Sequence, residues 1–96
     1  MDDKRQFNRW FREGEDTAVV ASAGDKDVGH IIDMSVGGMR VALHKPMHVG
    51  EEVYSEFNVM EFPYYVKGKI NRVLQQGAEW EIAIAFEKVS SIPLSV

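Results

Sequence analysis

The sequence predicts an all-β fold, a six-stranded antiparallel β-barrel, from three observations. Short segments in which apolar and polar residues alternate recur along the chain, as in strands with one buried face. Turn-forming residues separate these segments at near-regular intervals, which is typical of an antiparallel barrel or sandwich. No segment between them carries a convincing helical pattern. Closure into a barrel removes the exposed edges that an open sheet of this size would leave.

Among the first three predicted strands, the second and third are joined by a turn that is unusually rich in polar and small residues. The strands are DTAVVAS (16–22), VGHIID (28–33) and GMRVALH (38–44), with the turn-rich spacer AGDKD between the first two. In the third strand Met39 alternates with Arg40, so we expect Met39 to face the core. We interpret Arg40 as an ordinary solvated strand residue beside the turn.

The last three predicted strands alternate in the same way. They are EEVYSEFNVM (51–60), YYVKGKINRVL (64–74) and EWEIAIAFE (79–87), separated by the turns EFP and LQQGAE. A glycine within the fifth strand, Gly68, indicates a bulge or a tight bend of a closed sheet. The inward-facing set is expected to comprise Val53, Phe57, Val59, Val66, Gly68, Ile70, Trp80, Ile82, Ile84 and Phe86.

The chain of 96 residues is expected to form a single domain over 1–96. We divide it into an N-terminal arm (1–14), a barrel (15–88) and a short tail (89–96). The arm is expected to be mobile. Pro93 lies in the tail, so we expect little or no helix there.

Composition and charge exclude several classes of function. The chain has no cysteine, which rules out disulfides and thiolate metal sites and fits a reducing cytoplasm. Its first residues lack the apolar region of a signal peptide, and no apolar run approaches the roughly 20 residues that span a bilayer. A net charge of −4 argues against binding to long nucleic acid. These features predict a cytoplasmic protein without a membrane span.

The arm nevertheless concentrates positive charge. Lys4, Arg5, Arg9 and Arg12 fall within nine residues. A local positive segment on an acidic domain suits a small anion. A solvated, partly disordered basic tail is the alternative, and it is the interpretation that the arm alone favours.

The turn between the second and third strands carries the second candidate group. Asp33 and Ser35 are two residues apart, and Gly37 and Gly38 follow. Alternate strand residues point the same way, so the carboxylate and the hydroxyl can project to one side. The glycines allow positive φ and close approach of a ligand to the backbone. A carboxylate can accept hydrogen bonds from N1–H and N2–H of guanine, and arginine can grip the O6 and N7 edge or a phosphate.

The two groups together resemble the PilZ domain family. The chain reads R-x-x-x-R at Arg5 and Arg9, within KRQFNR, and then D-x-S-x-x-G at Asp33, Ser35 and Gly38, within IIDMSVGGMRV. HVGEEV to EFNV and GKINRVL to EIAIAF resemble the later strands of that family, so the resemblance covers essentially the whole chain. This bacterial family forms a six-stranded barrel and binds the second messenger cyclic di-GMP.

The resemblance implies roles for individual residues. Arg5 and Arg9 would engage guanine and phosphate, and Asp33 and Ser35 would fix the guanine edge or a phosphate. Gly38 would shape the turn.

Two further candidates lie beside these motifs. The resemblance implies that Lys4, just before the first arginine, is at a position that in such domains can influence whether one ligand or an intercalated pair is held. Gly37 adjoins the turn glycine. The expected ligand is cyclic di-GMP, with no cofactor. With no output domain within these 96 residues, an unidentified downstream protein is the expected partner.

The chain departs from the family at its end. Only about nine residues follow Phe86, where many members have a helix, and the last strand reads I-A-I-A-F where a glycine is common. Some members bind no nucleotide and act as adaptors in pilus or motility machinery, which is the alternative function. A barrel that binds single-stranded RNA is a third option, disfavoured by the net charge.

Other candidate residues carry weaker signals. His44 and His48 have helical metal-ligand spacing, but Pro46 lies between them, so no metal site is expected. Phe7 is expected to anchor the arm on the core. Trp10 and Phe11 could stack on a base or pack the arm onto the barrel or a partner. No catalytic arrangement is present, so the protein is not expected to be an enzyme.

Overall fold

The computed structural model describes residues 16–94, which form a closed antiparallel β-barrel of six strands. The predicted fold class is thus confirmed. Around the barrel the strands follow the order β1-β2-β3-β6-β5-β4. Within the described range there is no helix, and so none that could cross a membrane. The strands are β1 Thr17–Ser22, β2 Asp25–Ser35, β3 Gly38–Leu43, β4 Glu52–Val59, β5 Phe62–Gln76 and β6 Glu79–Ser90.

Three strands are longer than the apolar pattern predicts. β2 begins at Asp25, inside the expected spacer, and β5 and β6 run on to Gln76 and Ser90. Apart from Val89 these extensions are polar, but ladder hydrogen bonds come from the backbone and do not require apolar side chains. The paired residues Ser22 and Asp25 close one hairpin, and Gln76 pairs with Glu79 in another. The turns between them therefore shrink to two residues.

The core is a single apolar cluster inside the barrel. Alternate residues of every strand enter it, as the period-two pattern predicts. Ser55 lies on the inward face of β4, and its hydroxyl donates to the carbonyl of Val19 at 2.8 Å, which satisfies its polar group. Trp80 and Phe86 are only partly buried and pack against the edge of the cluster. Its fully buried large members are Ile31, Met34, Leu43, Ile70, Ile82, Ile84, Val20, Val41, Val53 and Val66.

One end of the barrel, which we call the site end, receives the incoming chain. The β2–β3 and β4–β5 turns lie at this end, together with the start of β1 and the last residues of β6. The carbonyl of Asp16 accepts a hydrogen bond from the Ile31 amide at 2.8 Å. Ala18, two residues later, pairs with Phe57 of β4. The chain preceding Asp16 is therefore attached at the site end.

The tail after β6 has no helix as far as Leu94. Pro93 and Leu94 line a shallow groove of about 240 Å³ on the outer face of β1 and β4, beside Val19 and Tyr54. The lack of a helix agrees with the prediction from Pro93. This apolar groove lies away from the polar turn between β2 and β3.

Asp27 fastens the loop after β3 to strand β2. Its carboxylate accepts from the amides of Val28 at 2.8 Å and His44 at 2.7 Å. Burial raises the pKa of Asp27, but hydrogen bonds from the His44 amide and ring and from the Val28 amide outweigh it, so the pKa lies below its ordinary value. A depressed carboxyl pKa stabilises the fold above the unfolded pKa, and this contribution is lost as pH falls through the folded pKa.

We therefore expect Asp27→Asn to lower the free energy of unfolding at pH 7 by about 1 kcal/mol. The gap to the wild type should narrow as pH falls below about 4, where the carboxyl of the unfolded chain takes up a proton, and should close once pH is below the depressed pKa of the folded state. Urea unfolding at pH 7 and pH 3 measures both values. Asp25→Asn is the matched control, since Asp25 is largely exposed and its ion pair among residues 16–94 is with Lys45 at the surface. A gap that stays constant with pH would contradict the assigned role of the charge.

Candidate functional site

A β-bulge in β2 turns the acidic residue of the site outward. Strict alternation would place Asp33 on the same face as Ile31, which is fully buried. The β2–β3 register shifts between these two residues, and Ile32 is the extra residue. The shift reverses the phase, so that Met34 points into the core while Asp33 and Ser35 are half-buried at the surface. The bulge therefore brings the carboxylate and the hydroxyl to one outer face.

The turn after Ser35 is held tightly against β6. The Phe86 amide donates to the carbonyl of Gly37 at 2.8 Å. The Ser35 hydroxyl lies 3.4 Å from the Gly38 carbonyl, at the long limit of a hydrogen bond, and can turn toward a ligand.

The two turn glycines have different structural roles. Neither Gly37 nor Gly38 uses the positive φ that glycine allows, since neither lies in the left-handed region. A Cβ at Gly38 would instead lie 2.5 Å from the carbonyl oxygen of Ile84, whereas one at Gly37 would meet open space. Gly38 is needed because β3 and β6 approach closely there.

These residues line an open groove of about 260 Å³ on the outer face of β3, β6 and the middle of β5. Ala83 and Ala85 on β6 are small and half-exposed, which leaves a shallow floor. Asn71 forms the far wall, where the β5–β6 register shifts between Ile70 and Arg72. The full lining is Asp33, Ser35, Gly37, Gly38, Met39, Arg40, Asn71, Ala83, Ile84 and Ala85.

Arg40 joins the strands on either side of it. Its Nε donates to Oδ2 of Asp33 on β2 at 2.9 Å, and its Nη2 contacts the same oxygen. On the other side Nη1 donates to Oε2 of Glu81 on β6 at 2.9 Å. Both contacts with Asp33 use Oδ2, so Oδ1 can accept from a ligand. The earlier interpretation of Arg40 as a merely solvated residue is wrong.

The hydrogen bonds of Arg40 keep it charged and fixed. The pKa of its guanidinium is raised, first by the hydrogen bond to Asp33 and then by the one to Glu81. The Glu81 side chain is only 16% exposed, so this contact is partly shielded from water, whereas Arg40 itself is 42% exposed. Two carboxylates and one guanidinium leave the described part of the site with net negative charge.

Removal of this guanidinium should weaken the fold. We expect Arg40→Met to lower the free energy of unfolding by about 1 kcal/mol, because it leaves Asp33 and Glu81 without their shared partner and much of the pair is solvent-screened. Urea unfolding at neutral pH measures the change. Arg72→Met is the control, because Arg72 is exposed and has no ion pair among the described residues, and should change stability by less than about 0.5 kcal/mol. Equal effects of the two substitutions would contradict the bridging role.

The structure brings together one half of the predicted site. Asp33, Ser35, Gly37 and Gly38 line the groove. The predicted residues of the arm, Lys4, Arg5 and Arg9, lie outside the described residues, as do Phe7, Trp10 and Phe11. Within residues 16–94 no three histidine, aspartate or glutamate side chains are grouped as a metal would require.

Three residues near the groove were missed by the sequence reasoning. Arg40 carried a signal, because period-two alternation placed it outward just after the turn. Glu81 carried none, because its contact depends on β3 pairing with β6, which the chain order does not reveal. Asn71 was placed on an outer face, but its position opposite Asp33 follows from the same strand order.

Comparison with known proteins gives one result that bears on this geometry. A family model described as "PilZ domain" matches residues 3–94, nearly the whole chain. A search of curated proteins gives no match.

Proposed function

The chain belongs to the PilZ domain family, and we propose on that basis that it is a cytoplasmic receptor for cyclic di-GMP. In this proposal the N-terminal arm, with Arg5 and Arg9, closes over a nucleotide whose guanine edge is fixed by Asp33 and Ser35. Gly37 and Gly38 let the ligand approach the turn, and Lys4 influences the number of ligands held. The protein needs no cofactor and performs no reaction.

The observation that carries the proposal is the outward carboxylate of Asp33 with one oxygen fixed. Arg40 holds Oδ2, which sets the orientation of the carboxylate, and leaves Oδ1 able to accept a hydrogen bond from a ligand. A fixed acceptor beside the Ser35 hydroxyl complements the adjacent N1–H and N2–H donors of guanine. The alanine floor of β6 allows a flat ring to lie close to the sheet.

The size and charge of the groove support a role for the arm. A volume of about 260 Å³ lies just below the usual range for a ligand site, so the described groove suits part of a dinucleotide. Its net negative charge cannot by itself attract the two phosphates. Four basic residues in the arm supply the missing charge. An arm that becomes ordered on binding would change the surface at the site end, which a downstream protein partner could read.

Calorimetric titration with cyclic di-GMP tests the proposal, with GMP as the ligand control. We expect saturable binding at micromolar or lower concentration, a higher melting temperature with ligand, and little heat with GMP. Asp33→Ala should weaken binding, whereas Asp25→Ala, at an exposed carboxylate on the opposite end of the same strand, should not.

A folded protein that gives neither heat nor a melting shift would overturn the receptor proposal. The alternative is then a PilZ-like adaptor that acts only through protein contacts. The titration separates the two because an adaptor has no requirement for the nucleotide.

A further inference from the structure

An apolar cavity opens at the site end, next to the groove but separate from it. It is about 140 Å³ in volume. Phe57 forms part of its wall and stacks with Tyr64 and Phe86 at centroid distances of 6.3 Å. Val36 and Val89 complete the lining and are 62% and 48% exposed, which is unfavourable for valine side chains. Apolar walls with an exposed rim indicate a site that another apolar group covers.

The position of the chain's entry identifies a candidate for that group. The carbonyl of Asp16 accepts a hydrogen bond from the Ile31 amide at this end. Ala18 pairs with Phe57, which lines the cavity. Residues that precede Asp16 therefore start beside the cavity. Five extended residues span up to about 17 Å, which is enough to bring Phe11 to the opening.

The size of the cavity favours a single six-membered ring. An apolar cavity of about 150 Å³ holds one benzene molecule. A phenyl group therefore fits the 140 Å³ space better than the larger indole of Trp10. Of the two phenylalanines in the arm, Phe11 is nearer to Asp16.

The cavity and the groove share a wall. Val36 lines the cavity, while its neighbours Ser35 and Gly37 line the groove. On β6 the adjacent residues Phe86 and Ala85 are divided in the same way. A group in the cavity is therefore separated from the groove only by the β2–β3 turn and the end of β6.

We propose that the phenyl ring of Phe11 occupies this cavity and positions Arg9 over the neighbouring groove. Alternate residues of an extended segment point to the same side and lie about 7 Å apart, so Arg9 would reach across the shared wall. The docking of the ring stands on the geometry of the site end, and the role of Arg9 rests on the proposed nucleotide function. A tethered arm loses less conformational freedom when ligand binds, which raises affinity.

A spin-label measurement tests the docking without nucleotide. Since the chain has no cysteine, Glu61→Cys at the site end and His48→Cys at the opposite end each give a single labelling position. The label at 61 is expected to broaden the amide signal of Phe11, and the label at 48 is not. Val89→Lys, which places a charge on the cavity rim, should reduce the broadening, because an undocked Phe11 stays tethered at this end but spends less time near the label. Equal effects of both labels, or broadening that is undiminished by Val89→Lys, would overturn the proposal.

The same measurement distinguishes a second copy as the occupant. Spin-labelled protein without ¹⁵N is mixed with ¹⁵N-labelled protein that carries no spin label. Any broadening must then arise between molecules. Broadening of Phe11 in this mixture would replace the intrachain proposal by a dimer. The expected result is that the mixture shows none.

Binding measurements test the positioning role separately. Phe11→Ala and Val89→Lys are each expected to weaken cyclic di-GMP binding about tenfold, and the double variant should be no weaker than either. Val49→Lys is the matched control, because Val49 is 67% exposed at the opposite end. Additive losses, or none, would refute the positioning role. If the wild type does not bind cyclic di-GMP, the receptor function fails, while the spin-label result still decides whether Phe11 docks.

Discussion

Gly38→Ala is expected to lower the free energy of unfolding by about 1–3 kcal/mol, whereas Gly37→Ala is not expected to lower it. A methyl group on Gly38 would meet the carbonyl oxygen of Ile84 at 2.5 Å, and that oxygen belongs to the backbone of β6. The neighbouring strand cannot yield as a flexible side chain would, so β3 and β6 must separate. Gly38 also pairs with Ala85 on the groove floor, so the same shift deforms the site.

Gly37→Ala is the matched control, because it adds the same methyl group at the adjacent residue. A methyl group on Gly37 meets nothing within 4 Å, and the backbone there is not left-handed. The substitution restricts the unfolded chain, so stability should stay constant or rise by up to about 1 kcal/mol. Urea unfolding of both variants measures the contrast. If Gly38→Ala is as stable as the wild type, the close approach of β3 to β6 is incorrect.

The fold could be predicted from the sequence because the barrel buries one face of every strand. Alternation such as that of Ile82 and Ile84 with Ala83 shows which residues enter the core. The ends of strands were less predictable. Asp25 pairs with Ser22, and Gln76 pairs with Glu79, through backbone groups outside the core. The side chains of Asp25 and Gln76 carry no periodic signal.

The site was only partly predictable, for two physical reasons. The bulge at Ile32 depends on the pairing of β2 with β3, so the outward position of Asp33 could not be derived from alternation alone. The contact of Arg40 with Glu81 depends on the order of strands around the barrel. Motif spacing indicated a carboxylate and a hydroxyl at the turn, but not what holds the carboxylate in place.

The proposed site has two halves of complementary charge, the described groove and the N-terminal arm. Asp33 and Ser35 present groups suited to a base, and Arg40 is already shared between two carboxylates. Burying the phosphates of a cyclic dinucleotide without cations would be unfavourable. The arm, which is attached at the same end of the barrel, contains the cations that the described half lacks.

Arg9→Ala is therefore expected to weaken cyclic di-GMP binding by about 100-fold, which corresponds to about 2.8 kcal/mol. A guanidinium can pair with a phosphate through two hydrogen bonds and can also stack on a purine, so alanine removes both contacts. Arg9→Lys retains the charge without the planar fork and should give an intermediate affinity. Calorimetric titration of folded variants measures these changes.

Arg12→Ala is the matched control for Arg9→Ala, because it removes the same charge from the same arm but lies outside the R-x-x-x-R motif. It should weaken binding only a few-fold, through the general attraction between a positive arm and an anionic ligand. Equal losses for the two variants would mean that the arm acts through its net charge alone. Normal binding by Arg9→Ala would remove Arg9 from the site and leave the groove around Asp33 to bind its ligand by other means.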